Sequence, residues 1–165
     1  MLYHDQMGGR RKKSAIDAVL SLVHDIQIAR RSKKYTSTLF IDVKGAFDHV
    51  SVNQLLRVFI QLGLPLALIR WIQSFLSDRS IQLAFDGDST TETPISIGIP
   101  QGSPISPILF LIYIRFLFEE SGEEDQELKE AISQVRFLSY IDDIALIISS
   151  KSLQRNCQIL ERVAQ

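Results

Sequence analysis

The sequence predicts an α+β domain in which a mainly antiparallel sheet is covered by helices on one side, and three observations predict it. Apolar residues recur at helical spacing in several windows, strand-length apolar runs bounded by turn residues lie between them, and the order reads α, β, α, α, β, β, α, β, β, α. At 165 residues, 45% hydrophobic and 22% charged, the chain has the composition of a single globular domain with a buried core.

The first helix is expected over Ser14 to Arg31, where Ile16, Val19, Leu20, Val23, Ile26 and Ile28 fall near helical spacing. Ser14 is its N-cap, with Asp17 three residues on. A basic linker leads to an apolar strand ending on Asp42. Ser51 to Leu62 and Pro65 to Ser77 follow as two helices, broken at Gly63-Leu64-Pro65. Ile81 to Phe85 alternates, Asp86-Gly87-Asp88 turns, and Thr93 to Ile97 alternates again, which is a hairpin. After the loop Gly98 to Pro104, the run Ile108 to Phe118 is interrupted by Arg115 and too short to span a bilayer, so it reads as a buried helix. An acidic stretch, a second hairpin and a last helix from Ser152 complete the order.

The net charge of −1 is unevenly spread. Residues 1–34 hold eight Lys or Arg against three Asp, in the clusters Arg10 to Lys13, Arg30-Arg31 and Lys33-Lys34, which suit phosphate binding or plain solubility. Glu119 to Glu130 holds seven acids against one Lys and reads as a solvated loop. One cysteine, Cys157, excludes an internal disulfide and suits a reducing compartment. Met1 to Arg10 has no apolar core of a signal peptide, so an intracellular place, nucleus or cytoplasm, is expected, away from membranes.

The chemistry concentrates in the second hairpin. Tyr140-Ile141-Asp142-Asp143 places two adjacent carboxylates between Phe137 to Ile141 and Ile144 to Ile148, and the tight turn displays both. Such a bed disfavours adjacent ionised carboxylates, which calls for shifted pKa values or a cation held between them and a partner. Asp42, at the end of the earlier apolar strand, is that partner. Hard oxygen ligands suit Mg2+, which takes one or two carboxylates and completes its shell with water and phosphate oxygens. His4, His24 and His49 are scattered and Cys157 stands alone, so zinc has no ligand cluster.

Phe40-Ile41-Asp42-Val43-Lys44-Gly45-Ala46-Phe47-Asp48, Gly98-Ile99-Pro100-Gln101-Gly102-Ser103-Pro104-Ile105-Ser106-Pro107 and Tyr140-Ile141-Asp142-Asp143 together resemble the three central polymerase motifs of reverse transcriptases. The likeness is to enzymes of non-LTR, LINE-like retrotransposons, of fungal type. Their order and spacing carry the resemblance, which covers nearly the whole chain. It implies a right-hand polymerase palm over 35–150, a partial fingers segment over 1–34 and the start of a C-terminal palm helix over 151–165, with no thumb.

The resemblance assigns Asp42, Asp142 and Asp143 as the catalytic carboxylates, with the Val43 carbonyl as a further metal contact. It implies two Mg2+ ions, with Mn2+ as an alternative; such a pair, about 3.5–4 Å apart, activates a primer 3′-hydroxyl, steadies the α-phosphate and neutralises departing pyrophosphate. Phe47 matches the aromatic that stands under the sugar and rejects a ribose 2′-hydroxyl; core packing is its other reading. Gln101 and Gly102 match the loop lining the nucleotide pocket, where glycine permits close approach and an amide donates and accepts without charge. Asp48 belongs to the same pattern with a structural role, and His49 to the surface. Gln6 to Ala18 resembles the fingers motif, commonly Gly-Phe-Arg-x-Gly-Arg-Ser-x-x-Asp-Ala, and assigns Arg10 and Lys13 to gripping the nucleotide. Gly9 stands in place of the aromatic, Lys12 of a glycine, and Lys13 of an arginine, which keeps the charge and loses bidentate contact.

The implied function is RNA-templated DNA synthesis, with RNA template, DNA primer and deoxynucleoside triphosphates as partners. The chain stops soon after the acidic hairpin, so by itself it is expected to polymerise weakly or not at all, since misplacing a primer end by about 1 Å costs about a hundredfold. One alternative is a non-catalytic palm relic that binds nucleic acid or protein, marked by a lost metal aspartate; all three are present. Another is an unrelated Mg2+-dependent palm cyclase, whose Gly-Gly-Asp/Glu-Glu-Phe-like turn is lacking.

Overall fold

A computed structural model describes residues 2–115 and 126–164. The elements are α1 (Ala15–Arg31), β1 (Tyr35–Asp42), α2 (Val52–Gln61), α3 (Leu66–Leu76), β2 (Arg79–Ile81), β3 (Ala84–Phe85), β4 (Asp88–Ser89), β5 (Thr93–Ile95), α4 (Ser106–Tyr113), α5 (Gln126–Ser133), β6 (Arg136–Tyr140), β7 (Asp143–Ser150) and α6 (Leu153–Val163). They form two compact units: residues 45–113, and residues 2–44 with the described part of 114–165. Helices with antiparallel ladders make this an α+β chain.

The second unit is built on one sheet, ordered β1-β7-β6 and antiparallel throughout. Its central strand β7 is buried from Ile144 to Ile148, and the two faces feed different clusters. Ala145 and Ile147 pack with Leu138, Met7 and Ala18 of α1. Ile144, Leu146 and Ile148 pack with Val135 and Leu160 of α6. Helices therefore cover both faces, not one, because a central strand apolar on both sides leaves neither free to meet water.

Three helix starts follow the expected chemistry. Ser14 and Asp17 form a capping box on α1, the Ser14 amide donating to Asp17 Oδ2 at 2.7 Å and the Asp17 amide to Ser14 Oγ at 3.2 Å. Ser51 and Ser152 cap α2 and α6. The apolar stripe that predicts α1 is nevertheless largely exposed, with Ile16 at 70% and Val19 at 59%. The sheet takes the narrow side of the helix instead, with Ala18 and Ala29 buried, since small residues allow the closest approach.

In residues 45–113, α2 packs on α3 and α4 around Leu55, Phe59, Ile72, Leu109 and Phe110. The hairpin expected as two continuous strands is two short ladders, β2 with β5 and β3 with β4, interrupted at Gln82-Leu83. Its turn is Asp86-Gly87, with φ of 53° and 88°, and Asp88 already belongs to β4. Among residues 116–125 and 165 fall parts of the expected apolar helix and of the acidic loop, and these lie outside the described residues. The described end of the acidic stretch is not loop: Gln126–Ser133 is helical, because Glu, Gln, Leu and Lys are good helix formers whatever their net charge. Among the described residues no helix is long and apolar enough to cross a membrane.

Candidate active site

The β6–β7 hairpin closes with Ile141 and Asp142 as its two turn residues, and Asp143 opens β7. Ile141 has φ +59°, while Asp142 is not among the positive-φ residues, the pattern of a II′ turn with a β-branched residue where glycine is usual. In the β1–β7 ladder Asp42 is the direct partner of Asp143, and in the β6–β7 ladder Tyr140 is its partner on the other side. Directly opposed residues share a sheet face with Cβ atoms about 5 Å apart. Asp42, Asp143 and Tyr140 thus form one row at the end of the sheet, with Asp142 in the adjoining turn.

Asp42 and Asp143 are exposed and Asp142 is half-buried, all lying beyond the buried run that starts at Ile144. Beneath them, on the α1 side, lies a hollow of about 260 Å³ lined by Ala18, Leu22, Phe40, Tyr140, Asp143 and Ala145. Val43 packs its side chain against the α6-side cluster.

The donor set fits a hard cation. Among the described residues no hydrogen bond or ion pair reaches the carboxylates of Asp42, Asp142 or Asp143, so adjacent negative charges at one sheet end are left for an ion, water and phosphate to balance. Among the described residues there is also no group of three or more His, Cys, Asp or Glu that could hold a metal ion unaided. Asp42, Asp142 and Asp143, expected together as metal ligands, are therefore neighbours at one sheet end without forming a three-carboxylate ligand group in this structure.

The residues before α1 run along the free edge of β6. The Met7 amide donates to the Ser139 carbonyl at 2.7 Å and the Ser139 amide to the Asp5 carbonyl at 3.0 Å. Arg136, at the start of β6, donates through Nη2 to Asp5 at 2.7 Å and through Nη1 to Asp25 of α1. The Arg136 hydrogen bond holds the Asp5 carboxyl below the usual carboxylate range, and Asp5 and Asp25 together push the Arg136 guanidinium further up, so it stays charged at any working pH. Sequence reasoning did not single out this clamp; its partners are 131 and 111 residues away along the chain. Arg10 Nη1 donates to the carbonyls of Tyr3 and Gln6 at 2.6 and 2.8 Å and so closes this loop through that one nitrogen. Lys13 is half-exposed one residue before the Ser14 cap. Ser14 and Asp17, matched through the fingers motif, are that helix's capping box.

Phe47, Gln101 and Gly102 belong to the unit of residues 45–113. There the segment after β1 meets the loop before α4: the Ile99 amide donates to the Phe47 carbonyl at 2.8 Å, the Gly98 amide to the Val50 carbonyl at 2.8 Å, and Gln101 Nε2 to Asp48 Oδ1 at 3.2 Å. The half-buried Phe47 ring stacks on Phe110 of α4, centroids 5.3 Å apart. A β-carbon on Gly98 would lie 2.8 Å from the Asp48 carbonyl oxygen, so the two segments approach as closely as bare backbone allows. Gly102 has φ +85° with open space around it, so its glycine is required by conformation, not by a neighbour. His49 is exposed and hydrogen-bonded to the Gly45 carbonyl.

Residues 1–165 match the family described as reverse transcriptase (RNA-dependent DNA polymerase). Among curated proteins, the RNA-directed DNA polymerase from mobile element jockey of Drosophila melanogaster is 29% identical over 153 residues, 90% of this chain and 16% of that protein. The probable RNA-directed DNA polymerase from transposon X-element of the same species is 32% identical over 66% of this chain and 12% of its own length. The Pol polyprotein from a type-1 R2 retrotransposable element of Popillia japonica is 27% identical over 78% of this chain and 22% of that protein. The chain therefore spans less than a quarter of these relatives. They lend nothing to an origin of fungal type.

Proposed function

The chain belongs to the reverse transcriptase family, alongside the polymerases of non-LTR retrotransposons, and from that premise we propose that it supplies the catalytic palm, with part of the fingers, of an RNA-templated DNA polymerase. The observation that carries the reading is the cross-strand pairing of Asp42 with Asp143, next to Asp142, with no cationic partner among the described residues.

Asp42, Asp142 and Asp143, with the Val43 carbonyl, hold Mg2+ in this reading, and a divalent ion there supplies charge neutralisation for the reacting phosphate and hydroxyl oxygens. The family's use of divalent metal supports the assignment; that the ions number two and are Mg2+ or Mn2+ is part of the proposal. The chain's own work is positional. A rigid ladder fixes Asp42 and Asp143 opposite each other, so neither has to be ordered when substrate arrives. Phe47 is the proposed sugar-selecting ring, braced by its stack on Phe110, and Gln101 with Gly102 the proposed nucleotide loop, braced by Asp48. Arg10 and Lys13 remain proposed nucleotide contacts from the family motif. RNA template, DNA primer and deoxynucleoside triphosphates are the proposed partners, and nucleus or cytoplasm the proposed location.

Calorimetric titration of a deoxynucleoside triphosphate into the chain, with and without Mg2+, tests the reading. Binding is expected only with Mg2+, to be lost in Asp42→Asn and kept in His49→Ala. Equal behaviour of the two variants overturns it.

A further inference from the structure

Ile141 holds a backbone conformation that β-branched residues rarely adopt, and such a conformation persists only where surroundings over-determine it. Its neighbour on the chain segment before α1 is Gly8. We infer that Gly8 is a positioning residue for the acidic turn: the side chain it lacks leaves the seat in which Ile141 packs, and so sets where Asp142 stands. The inference rests on reading Asp142 as a cation ligand.

Gly8 is buried and, unlike Gly9 at φ +63°, is not among the positive-φ glycines. Conformational freedom is therefore not what requires glycine; alanine fits the same backbone. What forbids it is the neighbour. A β-carbon at Gly8 would collide with Ile141 Cγ1 and stand 2.9 Å from the Ile141 amide nitrogen. The first atom sits on a stiff, β-branched side chain and the second is backbone, so neither yields without moving the turn.

The other side of the contact cannot retreat. Met7 and Asp5 are hydrogen-bonded to Ser139 on β6, Asp5 is ion-paired to Arg136 at 2.7 Å, and Arg10 draws the loop closed on the carbonyls of Tyr3 and Gln6. Displacement caused by a side chain at position 8 is thus delivered to Ile141, and Asp142 is the next residue. The register below the turn, from Tyr140 paired with Asp143 downward, is held by the ladder and should not follow.

The test uses the 165-residue chain, isotopically labelled, as wild type, Gly8→Ala, Gly8→Ala with Ile141→Gly, and Asp42→Asn, and reads backbone amide resonances and Mn2+ binding by electron paramagnetic resonance. Gly8→Ala is expected to shift the Ile141 and Asp142 amides, leave Leu146 and Asn156 in place, and weaken Mn2+ binding several-fold. The double variant, which removes Cγ1, is expected to reverse both changes. If Gly8→Ala does not fold, recovery of folding in the double variant supports the seat and continued unfolding overturns it. Unmoved turn amides in Gly8→Ala overturn the inference, as does a moved turn with unchanged Mn2+ affinity while Asp42→Asn loses it. Should the wild type bind Mn2+ no better than Asp42→Asn, the cation reading fails by itself. The turn amides alone then decide the seat: a shift confined to the turn and reversed in the double variant upholds it, and any other pattern overturns it.

Discussion

The turn joining β3 to β4 and the turn joining β6 to β7 both place a residue at positive φ, and they do so with opposite chemistry. Asp86-Gly87 uses the residues that tolerate such backbone, and beside Gly87 there is open space. Ile141-Asp142 uses one of the residues that tolerates it least, at a cost of about 1–2 kcal/mol, and surrounds it with Gly8 and a clamped edge. The first turn is made by local sequence. The second is imposed by the unit around it, and it is the one that carries candidate ligands. Strain of this kind is kept where position matters more than stability.

The largest test of that contrast replaces an acid in each turn. Asp142→Asn is expected to lower polymerisation by a longer active protein containing this chain by about a hundredfold or more, the scale for removing a group that stabilises developing charge. Asp86→Asn should leave it unchanged. Primer extension on an RNA template measures both; similar losses from the two would break the contrast, since the relaxed turn would then matter as much as the strained one.

The bracing of the two hairpins differs in kind. Arg79, at the base of the first, donates to the neutral carbonyls of Leu76, Ile97 and Gly98. Arg136 holds the second through Asp5 and Asp25, with side chains about a quarter to a third exposed. Exposed pairs contribute about 0–1 kcal/mol and breaking buried ones costs about 3–5, so Arg136→Ala should cost about 2 kcal/mol in denaturant unfolding of the residues it joins. A loss under about 0.5 kcal/mol would mean that the ladder alone holds the edge.

That difference carries a pH signature. Asp5 is held below its ordinary value of 3.8, so its contribution is fully present above that value and lost as pH falls through the lower folded value. Arg136 stays protonated throughout and adds no slope. As pH falls from above 3.8 through the lower folded value, the β6 amides should therefore lose hydrogen-exchange protection faster in the wild type than in Asp5→Asn, normalised to each protein's neutral value. Parallel loss in both would remove Asp5 as the cause.

Local chemistry was legible in the sequence, and long-range chemistry was not. The cap at Ser14 and the turns at Asp86 and Asp142 are written within a few residues, and Asp42 at the end of β1 pairs with Asp143 at the start of β7. The continuous apolar run Ile144 to Ile148 held the signal for a sheet covered twice, since a one-sided sheet alternates. The acid-rich stretch hid α5, whose Leu128 and Ile132 lie four apart. Arg136 offered nothing to read: its partners come from the N-terminal loop and α1, and only the fold brings them together.

The smallest expected effect compares the turns by glycine exchange in both directions. Gly87→Ala adds a β-carbon into open space at φ +88°, so its cost is conformational only, about 1 kcal/mol. Because that hairpin tip can open locally, the loss should appear in exchange of the Thr90 amide, which donates to the Leu83 carbonyl at 2.8 Å, quickened about fivefold. Ile141→Gly relieves strain of similar size but gives up a half-buried side chain and adds freedom to the unfolded chain, so the two effects nearly cancel, leaving a net change under about 1 kcal/mol. Unfolding in denaturant, with β6 amide exchange as the local check, measures it. A gain well above 1 kcal/mol would show that Ile141 contributes little by packing and that its strain is uncompensated. A loss of about 3 kcal/mol would show that the turn is held by burial of Ile141 and is hardly strained at all.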